Sequence, residues 1–267
     1  MKKIRLDQLL TSKKVVENRS QAQRIIMSGD VKVNGQVFIK PGTFVCPDSE
    51  VEITNKPKYV SRGGLKLEAA LIAFGLIDLE DRICVDVGAS TGGFTDCLLQ
   101  HKAKFVYAVD VGYGQLEWKI RNDARVKVLE RSNARYIKGF DDEISLVTID
   151  ASFISLKILL PVIKGWFGQQ KGDLIALIKP QFEAGRVETA KGAGVIRNPE
   201  VHQKVLMDVS FFSIKMGYGI KGLIRSPLQG PKGNTEFLIY LDTKQGDSIQ
   251  IEDTIRSVIR LGKANQK

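Results

Sequence analysis

Scarcity narrows the chemistry first. Only two histidines, His101 and His202, occur in 267 residues, and the three cysteines, Cys46, Cys84 and Cys97, form an odd number with no Cys-x-x-Cys pair. Structural zinc needs four closely spaced soft ligands and a disulfide framework needs paired cysteines, so neither is expected, and the cysteines read as packing residues. Both histidines fall in helical stretches and read as incidental. No apolar run approaches the ~18–20 residues that cross a bilayer, although 43% of the chain is hydrophobic. The opening residues, Met1-Lys2-Lys3-Ile4-Arg5-Leu6-Asp7, are positive but lead into no apolar stretch or small-residue cleavage site. That is not a secretory signal, and a cytoplasmic protein with no membrane partner is expected.

What is plentiful is positive charge: 40 Lys+Arg against 30 Asp+Glu leave +10. Residues 1–40 hold nine basic side chains and three acidic ones, so more than half of the excess sits in the first seventh of the chain. A folded basic cluster releases counterions from a polyphosphate, which makes nucleic acid the leading partner class; a solvated positive face is the other reading.

The length suits one small and one large domain. Ile4, Leu6, Leu9 and Leu10 share one helical stripe and Ala22, Ile25 and Ile26 a second, which Gly29 ends. Val31-Lys32-Val33-Asn34-Gly35-Gln36-Val37 is an alternating hairpin around Asn-Gly, and a strand at Glu50–Ile53 follows. The segment closes near residue 55, and residues 56–61 read as a linker. From residue 62 the rhythm changes. A helix over Leu65–Phe74 precedes continuously apolar strands at 83–87, 105–109, 126–129, 146–149, 174–178, 219–224 and 236–241, with helices near 114–121, 155–164 and 199–216. A last helix over 251–261 leads into a basic tail. Buried strands alternating with helices predict a mainly parallel sheet covered on both faces, with the last two strands antiparallel.

Asp86-Val87-Gly88-Ala89-Ser90-Thr91-Gly92-Gly93-Phe94 stands where a strand hands over to a helix, the ligand-binding corner of a doubly wound sheet. Ser90 occupies the second glycine of G-x-G-x-x-G, which disfavours a pyrophosphate dinucleotide. S-adenosylmethionine fits better: Asp86 and the open backbone at Gly88 suit its aminocarboxypropyl chain, and Asp110, 22 residues beyond Gly88, suits its ribose hydroxyls. A glycine turn chosen for packing is the alternative. Asp150 and Lys179 each end a strand on the same rim, either as a catalytic pair or as an ion pair tying two strands together. The stretch 183–195, with three glycines and the basic Arg186 and Lys191, reads as a long loop that orders on substrate binding. Phe153 reads first as a core aromatic and second as a surface for cofactor or base.

These residues resemble the TlyA family. Arg5-Leu6-Asp7, Arg19-Ser20-Gln21-Ala22 and Gly29 to Gly35 match its N-terminal RNA-binding domain of the ribosomal protein S-four type. Ser61 to Leu67, Asp86 to Asp96, Asp150 to Leu156, Lys179 to Glu183 and Gly233 to Glu236 match its methyltransferase domain of the FtsJ-like ribose 2′-O class. The resemblance implies an α/β fold: a Rossmann-like S-adenosylmethionine-dependent methyltransferase domain over 62–267, its last strand antiparallel, behind a small α+β RNA-binding domain over 1–55. It implies a catalytic tetrad at Lys66, Asp150, Lys179 and Glu236, with Asp150 and Glu236 setting the charge and position of Lys179. The cofactor would lie against Asp86, Gly88, Ala89, Ser90, Thr91, Gly92, Gly93, Phe94 and Asp110, and RNA against Arg5, Arg19, Lys40 and Arg62. The implied substrate is a cytidine ribose in ribosomal RNA or a ribosomal subunit. Family members are often labelled haemolysins, so a cytolysin is the second reading and a non-catalytic ribosome-assembly factor the third.

Overall fold

The computed structural model describes residues 3–16, 18–55, 57–244 and 249–264, without the side chains of Arg186, Lys191 and 261–264. Lys2, Glu17, Lys56, the side chains of Arg186 and Lys191, and the basic tail therefore lie outside the described residues. The chain divides into two compact units, Met1–Lys58 and Tyr59–Lys267.

In the first unit β1 (Ile4–Arg5) leads into α1 (Leu6–Ser12) and α2 (Arg19–Met27), followed by β2 (Val31–Val33), β3 (Gln36–Phe38), β4 (Phe44–Val45) and β5 (Val51–Ile53). Strands β2, β3 and β5 form one sheet in the order β3-β2-β5, and β1 pairs with β4 in another. Ile4 is therefore a strand residue opposite Val45, not part of the first helical stripe. Asn34 and Gly35 both adopt positive φ, as a two-residue hairpin turn requires. Gly29 (φ +82) closes α2: its N–H donates to Ile26 O while the Asp30 N–H donates to Ile25 O, a double bond pattern that needs a left-handed residue.

Asp7 holds this unit together. It is fully buried, and its carboxylate accepts from Arg5 Nε (3.0 Å), Arg19 Nε (2.9 Å) and Gln23 Nε2 (2.9 Å), tying β1 and both helices to one anion. The Arg5 guanidinium, with help from Gln23 and Arg19 and against the cost of burial, holds this carboxyl well below the usual carboxylate range. Its stabilisation is therefore complete above about pH 4 and is lost as acid protonates it. Replacing Asp7 by alanine is expected to destabilise the unit by about 1–3 kcal/mol, because it removes the buried acceptor that Arg5, Arg19 and Gln23 share, while both guanidiniums keep their contact with solvent. Faster amide hydrogen exchange across α1 and α2 reports the loss; unchanged protection would contradict it.

The second unit opens with α3 (Gly63–Ala73), then β6 (Ile83–Val87), α4 (Gly93–Gln100), β7 (Phe105–Val109), α5 (Trp118–Arg121), β8 (Val126–Leu129), β9 (Leu146–Ile149), α6 (Leu156–Trp166) and β10 (Asp173–Ile178). Two short helices, α7 (Pro180–Glu183) and α8 (Arg186–Lys191), precede α9 (Pro199–Lys215), β11 (Gly219–Arg225), β12 (Phe237–Asp242) and α10 (Ile251–Ala264). The sheet order is β11-β12-β10-β9-β6-β7-β8, with β12 antiparallel to both neighbours and the β10-β9-β6-β7-β8 pairs parallel. Every residue of β9 is buried, which explains why it is apolar but for Thr148. The stretch 183–195 is not a bare loop, since α8 occupies its middle. Among the described residues no helix is long and apolar enough to cross a membrane. Cys84 and Cys97 are buried as expected, but Cys46 is exposed.

The chain reverses direction along the sheet between β6 and β9, whose carboxyl ends lie side by side. Ligands of open α/β sheets bind outside such a switch point.

Candidate active site

Two glycine contacts shape the rim. Gly88 follows β6 with φ +86, and a Cβ there would lie 2.7 Å from the Asp150 carbonyl oxygen, so only glycine lets the two strand ends meet. At the head of α4, a Cβ on Gly93 would come within 3.0 Å of Gly64 N and overlap Ser61 Oγ. The Ser61-Arg62-Gly63-Gly64 run is thus the packing seam between α3 and α4. It sets Lys66 within the first turns of α3, where that lysine is 8% exposed.

Four charged side chains converge as two pairs. Lys179, at the end of β10, places Nζ 2.6 Å from Asp150 Oδ1 at the end of β9 and donates to Ser152 Oγ at 3.0 Å. Lys66 donates to Glu236 Oε2 at 2.5 Å, and Glu236 is 1% exposed. Glu236 therefore partners Lys66 rather than Lys179, a correction to the expectation that both acids serve one lysine. All four residues line one cavity of about 310 Å³ together with Arg62 and Ser90. Ser152, which the sequence reading did not single out, joins the set two residues after Asp150.

Next to this lies a cavity of about 570 Å³ bordered by Gly88, Ser90, Asp110, Asn133, Ala151 and Ile154. Asp110 accepts from Ser90 N (2.7 Å) and Gly112 N (2.6 Å), which fixes the carboxylate while leaving it lone pairs for further donors. Ala89, Thr91, Gly93 and Phe94 border the smaller cavity. Gly92, with φ +93, borders neither and instead caps α4.

Asp86 also departs from expectation. It is completely buried and borders neither cavity; Thr95 Oγ1 (2.7 Å) and Thr148 Oγ1 (3.3 Å) donate to it. It braces α4 and β9 beneath the glycine turn. Burial pushes its carboxyl up to about 7, the two threonines pull it down, and Asp150 raises it. The folded state thus holds a proton that the unfolded state, with an ordinary value near ~3.9, has released. This contribution is fully present below about pH 4 and is lost as pH rises through about 7. Asp86→Asn is expected to flatten the fall of thermal stability across that window. Parallel stability–pH profiles for the two proteins would contradict it.

Phe153 is no core residue. It is 91% exposed with φ +64, and its ring sits 5.1 Å from that of Phe182 at the mouth of a third cavity of about 990 Å³. A left-handed backbone at an aromatic is strained, and strain of this kind concentrates at functional sites. His101 and His202 each contact a backbone carbonyl, of Ile77 and Ile196 respectively. In the first unit, Arg5 and Arg19 spend their Nε atoms on Asp7, while Lys40 is exposed.

A switch-point cavity beside paired lysines and carboxylates agrees with the comparisons with known proteins. The family model for an FtsJ-like methyltransferase matches residues 59–243, and that for an S4 domain matches residues 4–51. The chain belongs to the TlyA family of FtsJ-like methyltransferases. The TlyA protein of Mycobacterium tuberculosis, named a 16S/23S rRNA (cytidine-2′-O)-methyltransferase, is 38% identical over 98% of this chain and 99% of its own length. YqxC of Bacillus subtilis is 46% identical over 96% of this chain and 93% of its own. A solved structure from Streptococcus thermophilus, described as a hemolysin, superposes with TM-score 0.77 at 42% identity and covers all of both chains. TlyA relatives thus carry two kinds of name on one fold.

Proposed function

We propose that this chain is an S-adenosylmethionine-dependent ribosomal RNA methyltransferase that modifies the 2′-oxygen of a cytidine ribose in the cytoplasm. The observation that carries the reading is the pairing of Lys179 with Asp150 and of Lys66 with Glu236 around one cavity. The residues present suit the cofactor: Gly88 has no room for a side chain, and the neighbouring cavity of about 570 Å³ has Asp110 at its rim. When bound there, S-adenosylmethionine supplies an already activated methyl group. Gly88, which has no side chain, would leave room for its amino-acid end, the N–H groups of Gly88 and Ala89 being already committed to the Val109 carbonyl, and Asp110 would hold its ribose hydroxyls.

A ribose hydroxyl is a weak nucleophile, so the protein's task is to position and deprotonate it. Lys179 Nζ orients the 2′-oxygen. The Lys179–Asp150 pair receives the hydroxyl proton, and Ser152 Oγ fixes the ammonium from the other side. Lys66, anchored by Glu236, holds the sugar–phosphate backbone. Phe153 offers a face on which a flipped-out base stacks, and Arg62 meets a phosphate. The first unit, through Lys40 and the guanidinium edges of Arg5 and Arg19, supplies sequence-tolerant RNA affinity, with ribosomal RNA, free or within a subunit, as partner.

Because the 2′-hydroxyl is the acceptor, RNA carrying a 2′-deoxycytidine at the mapped target is expected to take up no methyl group. Undiminished transfer to that RNA would point to methylation of the base and overturn the reading.

A further inference from the structure

We propose that Gln181 reads the base of the target nucleotide, its side-chain amide pairing with the N4 amino group and N3 of a cytosine. The inference rests on the methyl-transfer reading above and deepens it.

The third cavity, of about 990 Å³, borders Ser152, Phe153, Lys179, Gln181, Phe182 and Glu236. It shares Lys179 and Glu236 with the cavity of the paired charges, so a nucleoside whose sugar lies at Lys179 extends its base into it. Nearly every polar side chain there already has work. Asn234 accepts from Ile196 N and donates to Gly194 O, both at 2.9 Å. The Thr189 hydroxyl bonds to the carbonyls of Gln181 and Gly185. Ser152 serves Lys179, and Glu236 serves Lys66.

Gln181 is different. Its Oε1 is buried and has no hydrogen-bond partner among the described residues. Leaving such an acceptor unmade costs about 1–3 kcal/mol, a cost that folded proteins tolerate where a ligand satisfies it. The location is also apt, because one short turn delivers three parts of a nucleotide site. Lys179 directly follows β10, Gln181 lies in the first turn of α7, and Phe182 packs at a tilt against Phe153. Glu183 anchors the turn by accepting from Ser155 Oγ (2.6 Å) and Leu156 N (2.7 Å).

An amide presents an acceptor beside a donor. Cytosine presents on its Watson–Crick edge an N4–H donor beside the N3 acceptor, and an amide held with Oε1 toward N4 and Nε2 toward N3 matches it; uracil, with O4 and N3–H reversed in role, matches only the inverted amide, so the orientation of the amide selects the base. Phe153 and Phe182 would hold the ring face while Gln181 identifies the edge, the division of labour by which flipped bases are read.

The test compares wild type, Gln181→Leu and Gln181→Glu on ribosomal RNA with cytidine or uridine at the mapped target. Transfer of labelled methyl, S-adenosylmethionine affinity and thermal midpoint are read for each protein. Gln181→Leu keeps the volume but removes both hydrogen-bonding groups. It is expected to lower kcat/KM on the cytidine RNA by at least about tenfold, the scale of one bidentate base contact, and to shrink the cytidine-over-uridine ratio. Its affinity for S-adenosylmethionine is expected to stay within twofold and its thermal midpoint to hold or rise, since the stranded acceptor is gone; a merely structural glutamine would lower the midpoint. Gln181→Glu puts two acceptors against an edge that in either base offers one donor and one acceptor, so it is expected to lose cytidine transfer as the leucine variant does and to bring the ratio toward one. A leucine variant with wild-type rate and ratio overturns the inference while leaving the methyl-transfer reading standing. A wild-type protein that labels no RNA overturns both.

Discussion

Replacing Lys179 by alanine is expected to lower the methyl-transfer rate by about 10³-fold while leaving S-adenosylmethionine affinity within about twofold. The lysine is 8% exposed, pinned by Asp150 at 2.6 Å and Ser152 at 3.0 Å, and stands on the rim that the substrate cavity shares with the cofactor-side turn. Such rigid placement is what a proton-handling and orienting group requires, and groups of this kind contribute about 10²–10⁴-fold. Asp150 loses its counter-ion in the variant but keeps 23% of its side chain in solvent, so the fold is expected to tolerate the change. Rate and cofactor affinity must be measured on the same preparation. Turnover retained within tenfold would remove Lys179 from its role, and equal losses of turnover and cofactor binding would make it a cofactor ligand instead.

Gly88→Val is expected to produce the opposite split: cofactor affinity falls by about 10- to 100-fold, and the thermal midpoint drops with it. A Cβ at this position meets the Asp150 carbonyl oxygen at 2.7 Å, and a φ of +86 strains any β-branched residue by about 1–3 kcal/mol. Relief requires β6 and β9 to move apart at their carboxyl ends, which opens the turn that would hold the amino-acid end of the cofactor. Titration calorimetry with S-adenosylmethionine reads the result directly. An unchanged dissociation constant would show that the turn at Gly88 takes no part in binding.

Much of the second unit was legible because its strands are buried on both sides. Runs such as Ile83–Val87 and Leu146–Ile149 are apolar at every position but one, and the observed strands coincide with them. Strand β1 was not legible: two residues carry no periodicity, and Ile4–Arg5 becomes a strand only through Phe44 and Val45 far along the chain. Helix α8 was hidden by its flanking glycines, which read as loop. The four paired charges could be listed from motifs, but not their partners. Lys66 and Glu236 are 170 residues apart, and the choice between them and Lys179 depends on which side of the rim each strand end faces. Asp86 and Phe153 failed for opposite reasons. An acid at a strand end reads as a ligand, yet Thr95 and Thr148 enclose it; an aromatic beside an apolar strand reads as core, yet a left-handed turn carries it into solvent.

The seam between α3 and α4 connects sequence to chemistry in a second way. Gly93 lets the head of α4 close on the Ser61–Gly64 run, Gly64 leaves room for the Tyr59 ring, and two residues further along α3 Lys66 meets Glu236. A run that looks like a flexible glycine stretch is thus a packing device for the rim.

The most direct test of the account is transfer of labelled methyl from S-adenosylmethionine to purified ribosomal RNA and ribosomal subunits, followed by nuclease digestion and mapping. The account predicts label on the ribose of a cytidine, in a dinucleotide that resists nucleases because its 2′-oxygen is blocked. Label on a base, or none on any RNA from a preparation that binds the cofactor, would contradict it.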